Sequence, residues 1–215
     1  MLEGQKCLVI GSGISGIGAV ALLEKYHADV VLYDSSDKLT KEDLEAKLPG
    51  ESKAVCIAGE LPEEVELSIQ AAVLSPGVPT DIPLVNRMRD RGVQILGEIE
   101  LGFLAEQGRV IAITGTNGKT TTTTLTGEIM KAHFGEEKTF VVGNIGNPYT
   151  LEVTKTSKDS VTVGEISSFQ LETIHTFHPV VSAILNITPD HLNRHHTMEA
   201  YVAAKEAVAS HQNKK

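Results

Sequence analysis

Thr114-Gly115-Thr116-Asn117-Gly118-Lys119-Thr120-Thr121 follows an apolar run, Val110 to Ile113, and opens a helix-patterned segment that reaches Ala132. A glycine turn between a strand and a helix exposes backbone N–H groups that cradle phosphate oxygens. A lysine in the turn adds a compact positive charge, and the next hydroxyl can bind Mg²⁺. The loop is shorter than a Walker A loop, which has a glycine where Ile113 stands. A capped helix with a surface lysine is the bland alternative, and it requires the Gly118-Lys119-Thr120 placement to be accidental. The threonine run Thr120 to Thr124 sits at a helix start, where hydroxyls satisfy free backbone donors.

Downstream of this loop, Phe140 to Val142, Val161 to Gly164 and Val180 to Leu185 read as strands, and Met198 to Ala209 as a helix. Upstream, Leu8 to Ile10, Val30 to Tyr33, Ala54 to Ala58, Ala72 to Leu74 and Val93 to Leu96 read as strands. Ile14 to Lys25 and Pro83 to Arg91 read as helices. This alternation predicts an α/β protein with parallel sheets covered by helices. The two series divide near Gly97, into residues 1–96 and 97–215. The polar end, Ser210 to Lys215, follows a helix directly. A helix in such a sheet leads into another strand, so the second domain reads as cut short.

The glycine loop nearest the N-terminus, Gly11-Ser12-Gly13-Ile14-Ser15-Gly16, lies between the first strand and the first helix, and Asp34 ends the second strand. This is the pattern of a Rossmann-like nucleotide site, with a diphosphate at the helix N-terminus and a ribose hydroxyl on the acid. It fits NAD, FAD or a UDP-sugar without choosing among them, and a ligand-free packing turn is the alternative. Glu165, at a strand end beside the Gly115–Thr121 loop, stands where a magnesium ligand would sit, and Ser167 or Ser168 would cap the next helix. His191, His195 and His196 lack the further ligands of a zinc site, and chemistry alone leaves His191 a polar loop residue. Lys205 reads as a solvated helix lysine.

Bulk composition narrows the class. The chain has 215 residues, 41% hydrophobic and 22% charged, and a formal net charge of −9. That provides material for a core and no basic footprint for nucleic acid. Cys7 and Cys56 lie in short apolar runs and read as reduced core thiols. No run approaches a membrane span, and Leu8-Val9-Ile10 is too short for a signal-peptide core. A cytoplasmic monomer without nucleic-acid or membrane partners is the expectation.

Taken together, the motifs resemble the Mur ligase family. The likeness rests on Gly115 to Thr120 as the ATP loop, on Gly143-Asn144-Ile145-Gly146, on Asn186 to His195, and on Tyr201 to Lys205, in the family's order. Within the family, Ser167-Ser168-Phe169-Gln170-Leu171-Glu172 is similar to the branch that adds D-glutamate. The resemblance implies a Rossmann-like domain for a UDP substrate, followed by a truncated P-loop-type ATP domain with a mostly parallel sheet. The implied substrates are UDP-N-acetylmuramoyl-L-alanine, D-glutamate and ATP, joined through an acyl phosphate. Gly115, Thr116, Asn117, Gly118, Lys119, Thr120 and Thr121 would hold ATP, with Lys119 on its phosphates. Thr120 and Glu165 would hold one Mg²⁺, and His191 with a carbamylated Lys205 a second. Ser12, Gly13, Ile14, Ser15, Asp34, Ser35 and Gly77 would line the UDP site, with Asn144 and Ser167 near the acceptor end. The family usually has threonine at the position of Ser35. It also has a further C-terminal domain that nothing in these residues resembles, so the chain alone is expected to be inactive as a ligase.

Overall fold

The structure is a computed structural model and describes residues 2–211. The last four residues of the polar end, 212–215, lie outside the described residues. The first half begins with β1 (Lys6–Ile10), α1 (Ile14–Lys25), β2 (Asp29–Asp34), α2 (Lys41–Glu45) and β3 (Val55–Ala58). It continues with α3 (Glu63–Ser68), β4 (Ala71–Leu74), α4 (Pro83–Asp90) and β5 (Gln94–Gly97). Its five strands form one sheet in the order β3-β2-β1-β4-β5, and every pair is parallel. The middle strands read as unbroken apolar runs because helices cover both faces of the sheet. Cys7 and Cys56 are free and buried within it. Burial pushes the Cys7 thiol up to about 11, with Asp29 adding to the rise.

α5 (Glu98–Ala105) then leads to β6 (Arg109–Thr114), α6 (Lys119–Phe134), β7 (Thr139–Gly143), α7 (Tyr149–Glu152) and β8 (Val161–Glu165). α8 (Ser168–Leu171), β9 (Val181–Ile184), α9 (Leu192–His195) and α10 (Met198–Glu206) follow. The second sheet has the order β7-β8-β6-β9 and is also all parallel. In each sheet the chain leaves a central strand, β1 or β6, and returns on both sides of it. That reversal opens a crevice at the C-terminal strand ends, where α/β folds bind ligands.

The halves share one core. Val9 and Leu96 of the first sheet belong to the same apolar cluster as Ile99, Val142 and Phe177. α5 is the seam, and its carboxylates are buried because they accept backbone donors from the second half. Glu98 accepts from the Thr150 amide at 2.7 Å and hydroxyl at 2.9 Å. Glu100 accepts from the amides of His175, Thr176 and Phe177. Just after α5, the half-buried Glu106 accepts from the side-chain hydroxyls of Tyr149 and Thr162, each at 2.8 Å. Burial raises the Glu98 carboxyl above its usual range, against the Thr150 bonds that lower it.

Two local expectations change. The threonine hydroxyls do not cap α6; its N-cap is Gly118, at φ +81, with no side-chain cap. A left-handed residue is needed to turn the loop into the helix, and glycine takes it without a Cβ penalty. The final helix ends at Glu206 and tightens into a 3₁₀ turn, Ala207–Ala209. Among the described residues no helix is long and apolar enough to cross a membrane.

Candidate functional site

Two clefts open at the two crevices, and they adjoin. The first, of about 490 Å³, lies over the glycine loop after β1. Gly16 makes this loop possible. A Cβ there would sit 1.9 Å from the Gly11 carbonyl oxygen, so only glycine lets α1 start this close to the strand end. Gly13 caps α1 without a side-chain partner, which leaves the first-turn N–H groups facing the cleft. Asp34 organises the loop. Its Oδ2 accepts from the Ser12 amide at 3.0 Å and the Ser12 hydroxyl at 2.6 Å, and its Oδ1 accepts from the Ser36 amide at 3.1 Å. Burial alone would raise the Asp34 carboxyl. The Ser12 and Ser36 bonds, with Lys47 nearby, outweigh that and hold it below the usual carboxylate range.

Ser12, Gly13, Ile14, Ser15, Asp34 and Gly77 all line this first cleft. Ser35 lines an adjoining hollow of about 450 Å³ between Tyr33, Val78 and Leu84. Ser75 closes the floor by donating to the Gly11 carbonyl at 3.1 Å. The far wall of the first cleft comes from the second half of the chain, through Gly143, Asn144 and Gln170.

The second cleft, of about 190 Å³, brings together Lys119, Asn144, Ser167, Asp190, His191 and Lys205. The phosphate-type loop beside it is held from outside. Asn186 accepts from the Asn117 amide at 2.9 Å and returns a bond to the Asn117 carbonyl at 2.9 Å. Thr116 bonds to Thr188 and to the Tyr201 hydroxyl, at 3.0–3.1 Å. Lys119 Nζ donates to the Thr116 carbonyl at 2.9 Å, across the mouth of its own loop. Thr120 and Thr121 sit exposed in the first turn of α6 and do not line the cleft.

Lys205 is buried, not solvated as its helix pattern alone suggests. It is 2% exposed, its Nζ donates to the Gly115 carbonyl at 2.9 Å, and it lies over the Tyr201 ring. Burial, with Lys119 adding repulsion, pushes its amine down to about 8. His191 occupies the left-handed region at φ +52, an uncommon conformation for a residue with a Cβ. Its ring lies beside Asp190, at 3.4 Å, and near Phe169.

Glu165 is 1% exposed. Its Oε1 accepts from Asn144 Nδ2 at 2.7 Å, while its Oε2 is buried with no partner. An orphaned buried carboxylate oxygen is costly unless a donor or cation satisfies it. With Lys119 and the open turn at Gly118, it makes a donor set that fits a magnesium-bound polyphosphate. Among the described residues no group of three or more His, Cys, Asp or Glu could hold a metal ion. A cation here would therefore take further ligands from phosphate oxygens or water.

Ser167 caps α8 in a reciprocal box with Gln170. His195 is buried against Ser168, at 2.9 Å, and its imidazole is pushed down by burial. Glu172 binds Arg194 at 2.7 Å and reaches Thr80 of the first half at 3.4 Å. Sequence reasoning did not single out Lys47, and it took Asn186 and Asp190 only as members of the Asn186 to His195 motif, with no role of their own. Asn186 and Asn117 are 69 residues apart, and no local pattern announces such a pair.

A family model for the Mur ligase MurD-like N-terminal domain matches residues 5–97, and one for the Mur ligase middle domain matches residues 113–215. The chain is 57% identical over 213 residues to the UDP-N-acetylmuramoylalanine–D-glutamate ligase of Lachnospira eligens, covering 99% of this chain and 47% of that protein. It is 54% identical to the ligase of the same name from Lachnoclostridium phytofermentans, covering 98% and 46%. The chain thus spans about half the length of the curated relatives it matches. Among solved structures, it resembles the UDP-N-acetylmuramate:L-alanyl-gamma-D-glutamyl-meso-diaminopimelate ligase of Neisseria meningitides, with a TM-score of 0.57 at 13% identity. That match covers 98% of this chain and 69% of the other, and at such identity it supports the shared fold alone.

Proposed function

Because this chain belongs to the Mur ligase family, we propose that it is the UDP-substrate and ATP-binding part of a ligase that adds D-glutamate to UDP-N-acetylmuramoyl-L-alanine. The observation that carries the proposal is the meeting of the two clefts at Asn144, which lines both. A UDP-sugar held by its nucleotide at the first glycine loop would extend past Asn144 and present its far end beside Lys119. The names of the relatives support the choice of D-glutamate, as does the Ser167 to Glu172 run.

In this account residues 1–96 form the UDP-substrate domain and residues 97–215 belong to the ATP domain. Ser12, Gly13, Ile14, Ser15, Asp34, Ser35 and Gly77 hold the nucleotide. Gly115 to Thr121 cradle ATP, and Lys119 exchanges its bond to the Thr116 carbonyl for phosphate oxygens. The L-alanyl carboxylate attacks the γ-phosphate, and ADP leaves. The amine of D-glutamate then attacks the acyl phosphate carbon and displaces phosphate. The chain's share of this chemistry is positioning and charge stabilisation, with Asn144 and Ser167 aligning the acceptor.

Thr120 and Glu165 would hold one Mg²⁺, the unpartnered Glu165 Oε2 being the support for that role. His191 and a carbamylated Lys205 would hold a second. A buried amine pushed down to about 8 carries enough neutral form near pH 7 to add CO₂ and lose a proton. When bound, the two ions neutralise triphosphate charge and screen the approach of an anionic nucleophile.

Calorimetric titration of the 215-residue chain with UDP-N-acetylmuramoyl-L-alanine, ATP·Mg²⁺ and NAD tests this. Binding of the first two and silence from NAD is the expected outcome. NAD binding in competition with UDP would move the chain to dinucleotide chemistry instead.

A further inference from the structure

The first cleft carries a charge problem. Its lining includes one charged side chain, Asp34, and no lysine, arginine or histidine. The adjoining hollow also has Asp34 as its one charged residue. A nucleoside diphosphate brings more than one negative charge. The N-terminus of α1 offers the equivalent of roughly +0.5 charge, too little to balance the ligand together with Asp34.

One cation reaches the loop from outside the lining. Lys47, just beyond α2, sends its Nζ to the Ser12 hydroxyl at 3.0 Å and the Ser12 carbonyl at 3.4 Å. Ser12 lies within the glycine loop, and its hydroxyl is itself fixed on Asp34. Lys47 therefore stands at the rim of the cleft, next to the α1 N-terminus. Its neutral hydroxyl and carbonyl partners are weaker than an anionic oxygen. The side chain is exposed and long, so it can leave Ser12 for a phosphate at the cost of its two bonds there. The approach of α2 to the loop is set by the chain itself. Thr40 and Asp43 form a capping box at the start of α2, and Leu44 is fully buried on its inner face.

We propose that Lys47 is a further substrate-binding residue, supplying the positive charge that selects a diphosphate-bearing ligand over a bare nucleoside at the first glycine loop. This rests on the nucleotide-site reading of that loop. Lys47 is a binding and specificity residue and takes no part in the ligation chemistry.

The test compares UDP with uridine as calorimetric probes on the intact chain and on Lys47→Met and Lys47→Arg. One charge-assisted bond predicts a UDP affinity about tenfold weaker in Lys47→Met. Uridine affinity should be unchanged, and Lys47→Arg should recover most of the UDP loss. The UDP affinity of the parent chain should also fall more steeply with salt than that of Lys47→Met. Equal UDP binding by the parent and Lys47→Met overturns the role of Lys47. Equal weakening of UDP and uridine overturns it too, since Lys47 would then act only by shaping the loop through Ser12. If the parent chain binds neither probe, the nucleotide reading of the loop fails before Lys47 is at issue.

Discussion

The two halves repeat one plan and finish it differently. In the first, the central strand β1 is flanked by β2 and β4, and the glycine loop is locked by the Ser12–Asp34 bonds before any ligand arrives. In the second, the central strand β6 is flanked by β8 and β9, and β9 is an edge strand with Val181 half exposed. α6 buries only Thr123 and Gly127, leaving Leu125 and Ile129 in solvent. Its cleft holds a lysine folded back on its own loop, and Glu165, bonded to the cleft residue Asn144, keeps one unpartnered carboxylate oxygen. The first loop is fixed by partners within the chain and leaves helix N–H groups and a rim lysine for a ligand, whereas the second leaves a carboxylate oxygen and a lysine that a cation and its polyphosphate would satisfy. The same α/β crevice can thus be a preformed pocket or an incomplete one, depending on whether its polar groups find partners within the chain.

The largest expected effect separates the two clefts directly. Lys119→Ala should weaken ATP·Mg²⁺ binding by about a hundredfold, the loss of charge-assisted bonds to phosphate, and leave UDP affinity unchanged. Paired titrations check this, and a parallel loss of UDP would mean the clefts do not work separately. Asp34→Ala should do the converse more mildly, weakening UDP by roughly tenfold through loss of the Ser12 and Ser36 anchors, with ATP untouched.

The smallest effect is one of stability within the first half. Glu66 is bound by Arg87 at 2.6 Å and Arg91 at 2.7 Å, and these partners hold its carboxyl down to about 2. A depressed folded-state value contributes stability above the ordinary value of 4.5 and loses it as pH falls toward about 2. Glu66→Gln should therefore lower Tm by about 2–4 °C at neutral pH. The gap from the parent should close as pH falls through that window, as followed by thermal melts across pH.

Much of this was legible in the residues themselves. Strands buried on both faces are continuous apolar runs, so β1, β2 and β4 stand out, and the glycine loops mark where α1 and α6 begin. α5 was not legible. Its alternating Glu98, Glu100 and apolar neighbours suit neither a solvated helix nor a core strand. The carboxylates are buried only because backbone amides about 50–80 residues away point at them. Lys205 failed for the same reason: its helix pattern looks solvated, and only the packing of α10 on the Gly115 loop buries it. The residues of the two candidate clefts could be picked from motifs, but their meeting at Asn144 is a tertiary fact.

That meeting is the central claim, and hydrogen exchange tests it most directly. Amide protection should be followed in the chain alone, with UDP, and with UDP-N-acetylmuramoyl-L-alanine. The account predicts that UDP protects the nucleotide-binding segments of the first half alone, at Gly11–Ser15, Asp34–Ser35 and Gly77. The full UDP-sugar should also protect the segments around Asn144 and His191. Protection confined to those first-half segments with both ligands would contradict a substrate that bridges the two clefts.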